Sequence, residues 1–138
     1  MRFAAVVAAA GRSVRFGGVK KEYRLLDGLP VLAHSVSIFL GMPDCAAVVV
    51  VVPPGGESEA RAAIGDSSVT RAGPRLIFVE GGAERSDSVK AGLLALRVVD
   101  PEYILVHEGA RPRARADLVR RALASTRSQE RRVGTACR

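Results

Sequence analysis

Three cations follow a turn of small residues near the amino terminus, and together they could bind an anion. Arg15, Lys20 and Lys21 come after the run from Ala8 to Gly11. Residues this small let a ligand approach the main chain, and successive N–H groups in a tight turn form a concavity of positive partial charge. Guanidinium and ammonium groups beside such a turn add strong hydrogen bonds to phosphate oxygens. The segment therefore predicts a site for the phosphates of a nucleotide.

Two common nucleotide motifs are absent from this segment. A Walker loop requires Gly, four residues and then Gly-Lys-Ser/Thr, but the residue that follows the four after Gly11 is Phe16. The Rossmann fingerprint Gly-x-Gly-x-x-Gly also fails, because Ser13 and Phe16 occupy the places of its second and third glycines. Neither an ATPase nor a dehydrogenase is supported.

Apolar runs of strand length alternate with helical patterns along the chain. The run at 46–52 ends in five consecutive valines, which is typical of a central strand covered on both faces. We predict strands at 3–9, 46–52, 76–79 and 103–107, and helices at 31–42, 57–64, 91–98 and 116–126. Such alternation predicts an α/β fold with a mostly parallel sheet and right-handed crossovers.

Three loops with polar or glycine-rich sequences follow predicted strands. They span residues 10–21, 81–88 and 108–112. In parallel sheets, ligands bind beyond the carboxyl ends of the strands, and all three loops fall at that edge. We therefore expect one ligand site to be built from all three loops.

The net charge of +7 lies entirely in the last 28 residues, which contain nine arginines against Asp117 and Glu130. No aromatic residue accompanies them, so the pattern does not predict nucleic-acid binding.

Cys45 and Cys137 are far apart and lack metal-ligand spacing, which favours a reduced, cytoplasmic protein. No stretch is long and apolar enough to predict a membrane span.

Three sequence blocks together resemble 2-C-methyl-D-erythritol 4-phosphate cytidylyltransferases. They are Ala-Ala-Gly-x-x-x-Arg-Phe-Gly-Gly-x-Lys-Lys-Glu-Tyr, Gly-Gly-Ala-Glu-Arg-x-Asp-Ser-Val-x-x-Gly-Leu and Val-His-Glu-Gly-Ala-Arg-Pro, and the resemblance spans residues 3 to about 120. It implies a Rossmann-like nucleotidyltransferase fold of the nucleotide-diphospho-sugar transferase type, a three-layer sandwich. It also implies transfer of CMP from CTP to a polyol phosphate with Mg²⁺ or another divalent cation, and a homodimer in the full-length family. The metal ligands stay unassigned.

The resemblance also implies roles for individual residues. Arg15 and Lys21 match the two cations that stabilise the transition state, although Lys20 is an alternative to Lys21 because either flexible side chain could reach. Ser13, Lys20, Ala83 and Glu108 depart from the family pattern, which has glycine, proline, aspartate and aspartate at these places. The implied nucleotide-binding residues are Ala9, Ala10, Gly11, Ser13, Gly82, Ala83, Ser88, Glu108 and Gly109.

The end of the chain predicts a shortened domain. Residues 1–127 read as the amino-terminal part of the cytidylyltransferase domain, without the arm that builds the family's dimer. Residues 128–138 form a basic segment without apolar periodicity, which we expect to be disordered or non-native. Two alternatives remain open, a ribitol-5-phosphate cytidylyltransferase and a non-catalytic nucleotide-binding remnant with a basic tail.

Overall fold

The computed structural model describes residues 2–11, 20–65, 75–112 and 115–133, with side chains up to Thr126. Strands and helices alternate along these ranges. The strands are β1 (Phe3–Ala8), β2 (Leu25–Leu26), β3 (Leu29–Pro30), β4 (Cys45–Val52), β5 (Arg75–Glu80) and β6 (Tyr103–Glu108). The helices are α1 (Val31–Leu40), α2 (Glu57–Ile64), α3 (Arg85–Ala95) and α4 (Ala116–Val133), and a 3₁₀ turn spans Lys21–Tyr23.

Four of the strands form a parallel sheet in the order β5-β4-β1-β6. β1 and β4 therefore lie in the centre of the sheet, and every side chain in the valine run of β4 is fully buried. The order in which strands are added reverses at β1. From β1 the chain adds β4 and then β5 on one side, and it then returns to add β6 on the other side of β1. This is the topological switch point at which parallel sheets bind ligands.

Helices cover both faces of the sheet. Alternate residues of β1 and β4, among them Val7 and Val50, pack on one face against α1, α2 and α4. The residues between them, among them Val6 and Val49, pack on the other face against Leu96 and the end of α3. The architecture is the predicted three-layer α/β sandwich, and the period of two in the strands places the two sets of side chains on opposite faces.

The structure differs from the sequence prediction in three local features. Leu25–Leu26 and Leu29–Pro30 form a short antiparallel hairpin around Asp27 and Gly28, both at positive φ, where the sequence predicted only a turn. α3 begins at Arg85, six residues before the predicted start. α4 continues to Val133, seven residues beyond the predicted end of that helix. Within the described ranges, no helix combines the length and the apolar character that a membrane crossing needs.

Candidate nucleotide-binding site

A cavity of about 530 Å³ opens at the carboxyl ends of the parallel strands. All four strands of the main sheet contribute to its wall, either directly or through the loop that follows. Its lining residues are Ala8, Ala10, Gly11, Glu22, Pro53, Pro54, Gly81, Gly82, Ala83, Glu84, Arg85, Ser88 and Glu108. The three loops that the sequence predicted to form one site thus meet in one cavity.

The end of β1 forms the floor of the cavity. Ala9 donates its N–H to the carbonyl of Val51 over 2.9 Å, which ties the turn to β4. Gly11 is exposed, and a Cβ placed there would meet no atom within 4 Å. The main chain at Gly11 is therefore open to a ligand, as the small-residue turn predicted.

The adjacent lysines of the first loop lie in different environments. Lys20 is largely buried, its Nζ donates a hydrogen bond to the carbonyl of Ala9, and its ammonium lies 5.6 Å from the centre of the Tyr23 ring. Burial lowers the pKa of Lys20 below its ordinary 10.5, against the opposing charges of Glu22 and Glu59. Lys21 is exposed in the 3₁₀ turn and does not line the cavity. Lys20 thus braces the end of β1, whereas the Lys21 side chain is exposed.

Glu22 is the most buried carboxylate at the cavity. The residue is only 7% exposed, and its Oε2 has no hydrogen-bond partner among the described residues. Lys20 Nζ lies 4.0 Å from that oxygen, beyond hydrogen-bond distance. Burial raises the pKa of the neighbouring Tyr23 to about 12, and the charges of Glu59 and Glu22 add to the shift. This corner of the cavity therefore carries concentrated negative charge.

The second wall is formed by the glycine pair after β5 and the first turns of α3. Gly81 donates its N–H to the carbonyl of Val52, and a Cβ at this glycine would clash with Ser88 Oγ and lie 2.8 Å from Ala10 Cβ. Only glycine fits this close approach. Asp87 accepts a hydrogen bond from the Glu84 N–H at 3.2 Å, so it acts as a helix-start contact. The arrangement points the amino-terminal end of α3, with its partial positive charge, at the cavity.

The third wall is the end of β6. Glu108 lies in register with Ala8, and its Oε1 forms an ion pair with Arg85 across the cavity. The pair joins residues 23 positions apart in the sequence. It arises because α3 begins, and β6 ends, at the same edge of the sheet. The pair holds the Glu108 carboxylate at the cavity wall.

The structure brings together six of the eleven residues proposed from the sequence. These six line the cavity: Ala10, Gly11, Gly82, Ala83, Ser88 and Glu108. Ala9 and Gly109 lie behind the wall, where Gly109 donates its N–H to Ala8 and accepts a bond from Ser35 Oγ at 2.9 Å. Their role in the described structure is to support the turn. Ser13 and Arg15 lie outside the described residues.

Seven lining residues were not among those proposed from the sequence, namely Ala8, Glu22, Pro53, Pro54, Gly81, Glu84 and Arg85. The prolines directly follow β4, so the rule that ligands bind beyond strand ends could have included them. Glu22 lies between Lys21 and Tyr23 at the end of the first sequence block, but no pattern in the sequence indicated that it is buried. The site as a whole is an open cavity at a topological switch point, the place where α/β proteins with parallel sheets bind ligands.

Comparison with known proteins specifies the class further. The family model of IspD, 2-C-methyl-D-erythritol 4-phosphate cytidylyltransferase, matches residues 3–136. The chain belongs to this family. The match extends through most of the basic segment that the sequence had set apart, as far as residue 136.

Similar proteins carry the same family name. A bifunctional enzyme IspD/IspF of Rhodospirillum rubrum is 42% identical over 125 residues, which are 90% of this chain and 31% of that protein. A 2-C-methyl-D-erythritol 4-phosphate cytidylyltransferase of Cereibacter sphaeroides is 37% identical over 91% of this chain and 54% of its own length. The chain thus spans about half of that relative and about a third of the bifunctional one.

Solved structures confirm the fold. The 4-diphosphocytidyl-2C-methyl-D-erythritol synthase of Anaerococcus prevotii superposes with a TM-score of 0.71 at 23% identity, over 91% of this chain and 51% of that one. A CMP:2-keto-3-deoxy-manno-octonic acid synthetase, solved with CTP, gives a TM-score of 0.67 at 19% identity over 93% of this chain and 48% of that one. The predicted nucleotidyltransferase sandwich is confirmed at the level of fold.

Proposed function

We propose that this chain binds CTP in the cavity and takes part in transferring CMP to 2-C-methyl-D-erythritol 4-phosphate, with release of pyrophosphate, in isoprenoid precursor synthesis. One observation carries the proposal. Gly11, Gly82 and Glu108, which come from the three separate sequence blocks, line a single cavity at the switch point of the sheet. Membership of the IspD family supports the choice of CTP and of the acceptor.

The wall formed by the loop after β5 is suited to the cytosine base. Gly82 and Ala83 present main-chain groups there, and Ser88 offers a hydroxyl that is itself only 5% exposed. Short polar groups at fixed positions can distinguish the donor amine of cytosine from the carbonyl of uracil, because a mismatched group leaves a buried partner unpaired. We assign base recognition to this wall and the ribose to the neighbourhood of Glu108.

The turn after β1 is suited to the triphosphate. In the reaction a phosphate oxygen of the acceptor attacks the α-phosphorus, and negative charge accumulates at that centre before pyrophosphate leaves. Lys20 is engaged with the carbonyl of Ala9, so Lys21, whose ammonium is exposed, is the lysine we assign to this charge. Arg15, by resemblance, is the second cation. Such contacts strengthen as charge develops and therefore act mainly on turnover.

A divalent cation, Mg²⁺ by resemblance, completes the proposal. Among the described residues, no three His, Cys, Asp or Glu side chains are grouped to hold a metal unaided. A carboxylate at the cavity wall, Glu108, nevertheless fits the way Mg²⁺ binds, through one or two carboxylates together with substrate phosphates. When bound, the ion would neutralise phosphate charge. We place the reaction in the cytoplasm, and the homodimer expected of the full-length family stays a prediction.

Calorimetric titration with CTP, and with UTP as the matched ligand, tests the nucleotide assignment. We expect CTP to bind in the presence of Mg²⁺ and UTP to bind at least about tenfold more weakly, the effect of one unmade hydrogen bond of about 1.4 kcal/mol. Equal affinities would remove the basis for a cytidylyltransferase. Absence of binding by either nucleotide would contradict the proposal for this chain as a whole.

Pyrophosphate release tests the transfer and its acceptor. The acceptors are 2-C-methyl-D-erythritol 4-phosphate and ribitol 5-phosphate, and release with only the second would replace the proposed acceptor. The adjacent lysines provide a matched pair of variants. We expect Lys21→Met to lower turnover while the melting temperature is kept, and Lys20→Met to lower the melting temperature because the brace on Ala9 is lost. The reverse result would exchange the two assignments.

A further inference from the structure

Glu22 is a buried carboxylate for which the reaction described so far has no use. Its side chain is 9% exposed and lines the cavity, and Oε2 has no hydrogen-bond partner among the described residues. Its charge is balanced by the Lys20 ammonium in an ion pair at 4.0 Å, but a buried carboxylate oxygen that accepts no hydrogen bond is costly, and native proteins retain one where a further group completes it.

The nearby cation does not complete this carboxylate. Lys20 Nζ is 4.0 Å from Oε2, and it donates its hydrogen bond to the carbonyl of Ala9 instead. The charges of Glu59 and Glu22 both act on Tyr23, whose hydroxyl also has no hydrogen-bond partner among the described residues. A corner with two acidic groups and one lysine attracts positive charge.

Glu22 and Glu108 line the same cavity near the end of β1. Glu108 is in register with Ala8 of β1, and the next residue, Ala9, accepts the bond from the lysine beside Glu22. Both carboxylates line the cavity whose floor is the turn proposed for the triphosphate. Two carboxylates with phosphate oxygens between them are a donor set that Mg²⁺ prefers.

We propose that Glu22 is a second carboxylate ligand, directly or through one water, of the divalent cation that accompanies the nucleotide. The inference rests on the proposed function, since the described residues do not group three ligands that could hold the ion without phosphates. The metal therefore binds tightly only in the ternary complex. Glu22 then sets the affinity for the ion, whereas the wall formed by the loop after β5 sets the affinity for cytosine.

Manganese binding in the presence of CTP tests this inference without reliance on turnover. Mn²⁺ replaces Mg²⁺, and its bound fraction is measured by electron paramagnetic resonance in the full 138-residue chain. We expect Glu22→Gln, which has nearly the same shape, to weaken Mn²⁺ binding at least about tenfold, the lower end of the loss caused by removing even an outer-shell partner. Glu57→Gln, the same change in an exposed helix pair with Arg61, should match the unmodified chain.

The outcomes distinguish the inference from the function on which it rests. If the unmodified chain binds neither CTP nor Mn²⁺ with CTP, the proposed function fails. If it binds both and Glu22→Gln binds Mn²⁺ equally well, only the role of Glu22 is overturned. If Glu22→Gln weakens CTP to the same extent with and without metal, Glu22 contacts the nucleotide itself, and the metal role is likewise overturned. A thermal melt of each variant verifies that it is folded.

Discussion

Replacement of Gly92 by Ala would test how α3 positions the cavity wall that we assign to the cytosine base, which contains Gly82, Ala83 and Ser88. Gly92 is buried in α3, four residues after Ser88 and therefore on the same side of the helix. A Cβ at this position would lie 2.5 Å from Val6 Cγ1 and 3.3 Å from Val51 Cγ2. Ordinary contacts begin at 3.4 Å, and the interior is closely packed, so α3 would have to move by about 1 Å away from the sheet.

The magnitude follows from two opposing effects. Overpacking of a core contact costs about 1–3 kcal/mol, whereas Ala is better than Gly inside a helix by about 1 kcal/mol. The free energy of unfolding should therefore fall by about 0–2 kcal/mol, which lowers the melting temperature by up to about 8 °C for a chain of this size. CTP affinity should fall as well, because Ser88 moves together with the helix.

Thermal melts and CTP titrations of Gly92→Ala provide the measurement, and Gly41→Ala is the matched control. Gly41 ends α1 with φ −83° and ψ −5°, and its added Cβ would be 3.4 Å from the Ser37 carbonyl oxygen. Ala fits this conformation. Gly41→Ala should leave the stability unchanged or raise it by about 0.4–1 kcal/mol, because Ala reduces the conformational entropy of the unfolded chain. A Gly92→Ala protein that melts at or above the unmodified temperature and binds CTP normally would refute the packing of α3 on β1.

Two further predictions concern charge. Burial lowers the pKa of His107 below 6.5, and its Nε2 donates a hydrogen bond to the Arg111 carbonyl at 2.9 Å. As the pH falls, His107 is therefore protonated in the unfolded chain before it is protonated in the folded one. The free energy of unfolding should decline below pH 6.5. Thermal melts between pH 5.5 and 7.5 should show that the melting temperature of His107→Gln declines less than that of the unmodified chain, whereas His34→Gln declines as much. Equal declines in the two variants would contradict this prediction. Arg85→Gln should keep the melting temperature within about 3 °C, because so exposed an ion pair contributes about 0–1 kcal/mol, yet weaken CTP binding by freeing Glu108. A larger loss of stability would contradict the surface character of the pair.

The main sheet could be predicted because its signals are local. The five valines of β4 can be buried on both faces only in a central parallel strand, and the rule about strand ends then placed the three loops together. The hairpin after the first loop has strands of two residues, too short to show periodicity. The last part of α4 has no apolar pattern, but it is rich in Arg, Gln and Glu, which favour helix by propensity alone.

The finer details of the site depend on packing that the sequence does not display. Lys20 and Lys21 are chemically identical neighbours, and the start of the 3₁₀ turn decides which one is buried. Arg85 and Glu108 meet only because strand register and helix start bring residues 23 positions apart to one edge. The burial of Glu22 likewise follows from the tertiary structure, since a charged residue in a loop is ordinarily exposed.

The register of β1 with β6 has a consequence for how the protein forms. Phe3 pairs with Tyr103, whereas the pairing of β1 with β4 brings together Phe3 and Cys45. At about 5–20 residues per second during synthesis, β6 follows β1 from the ribosome by some 5–20 s, and closing so long a loop is intrinsically slow. Until then β1 has one uncovered edge, and the cavity lacks the wall that holds Glu108. We therefore expect the proposed nucleotide binding to be acquired late in folding, and CTP to stabilise only the chain that has completed this last pairing.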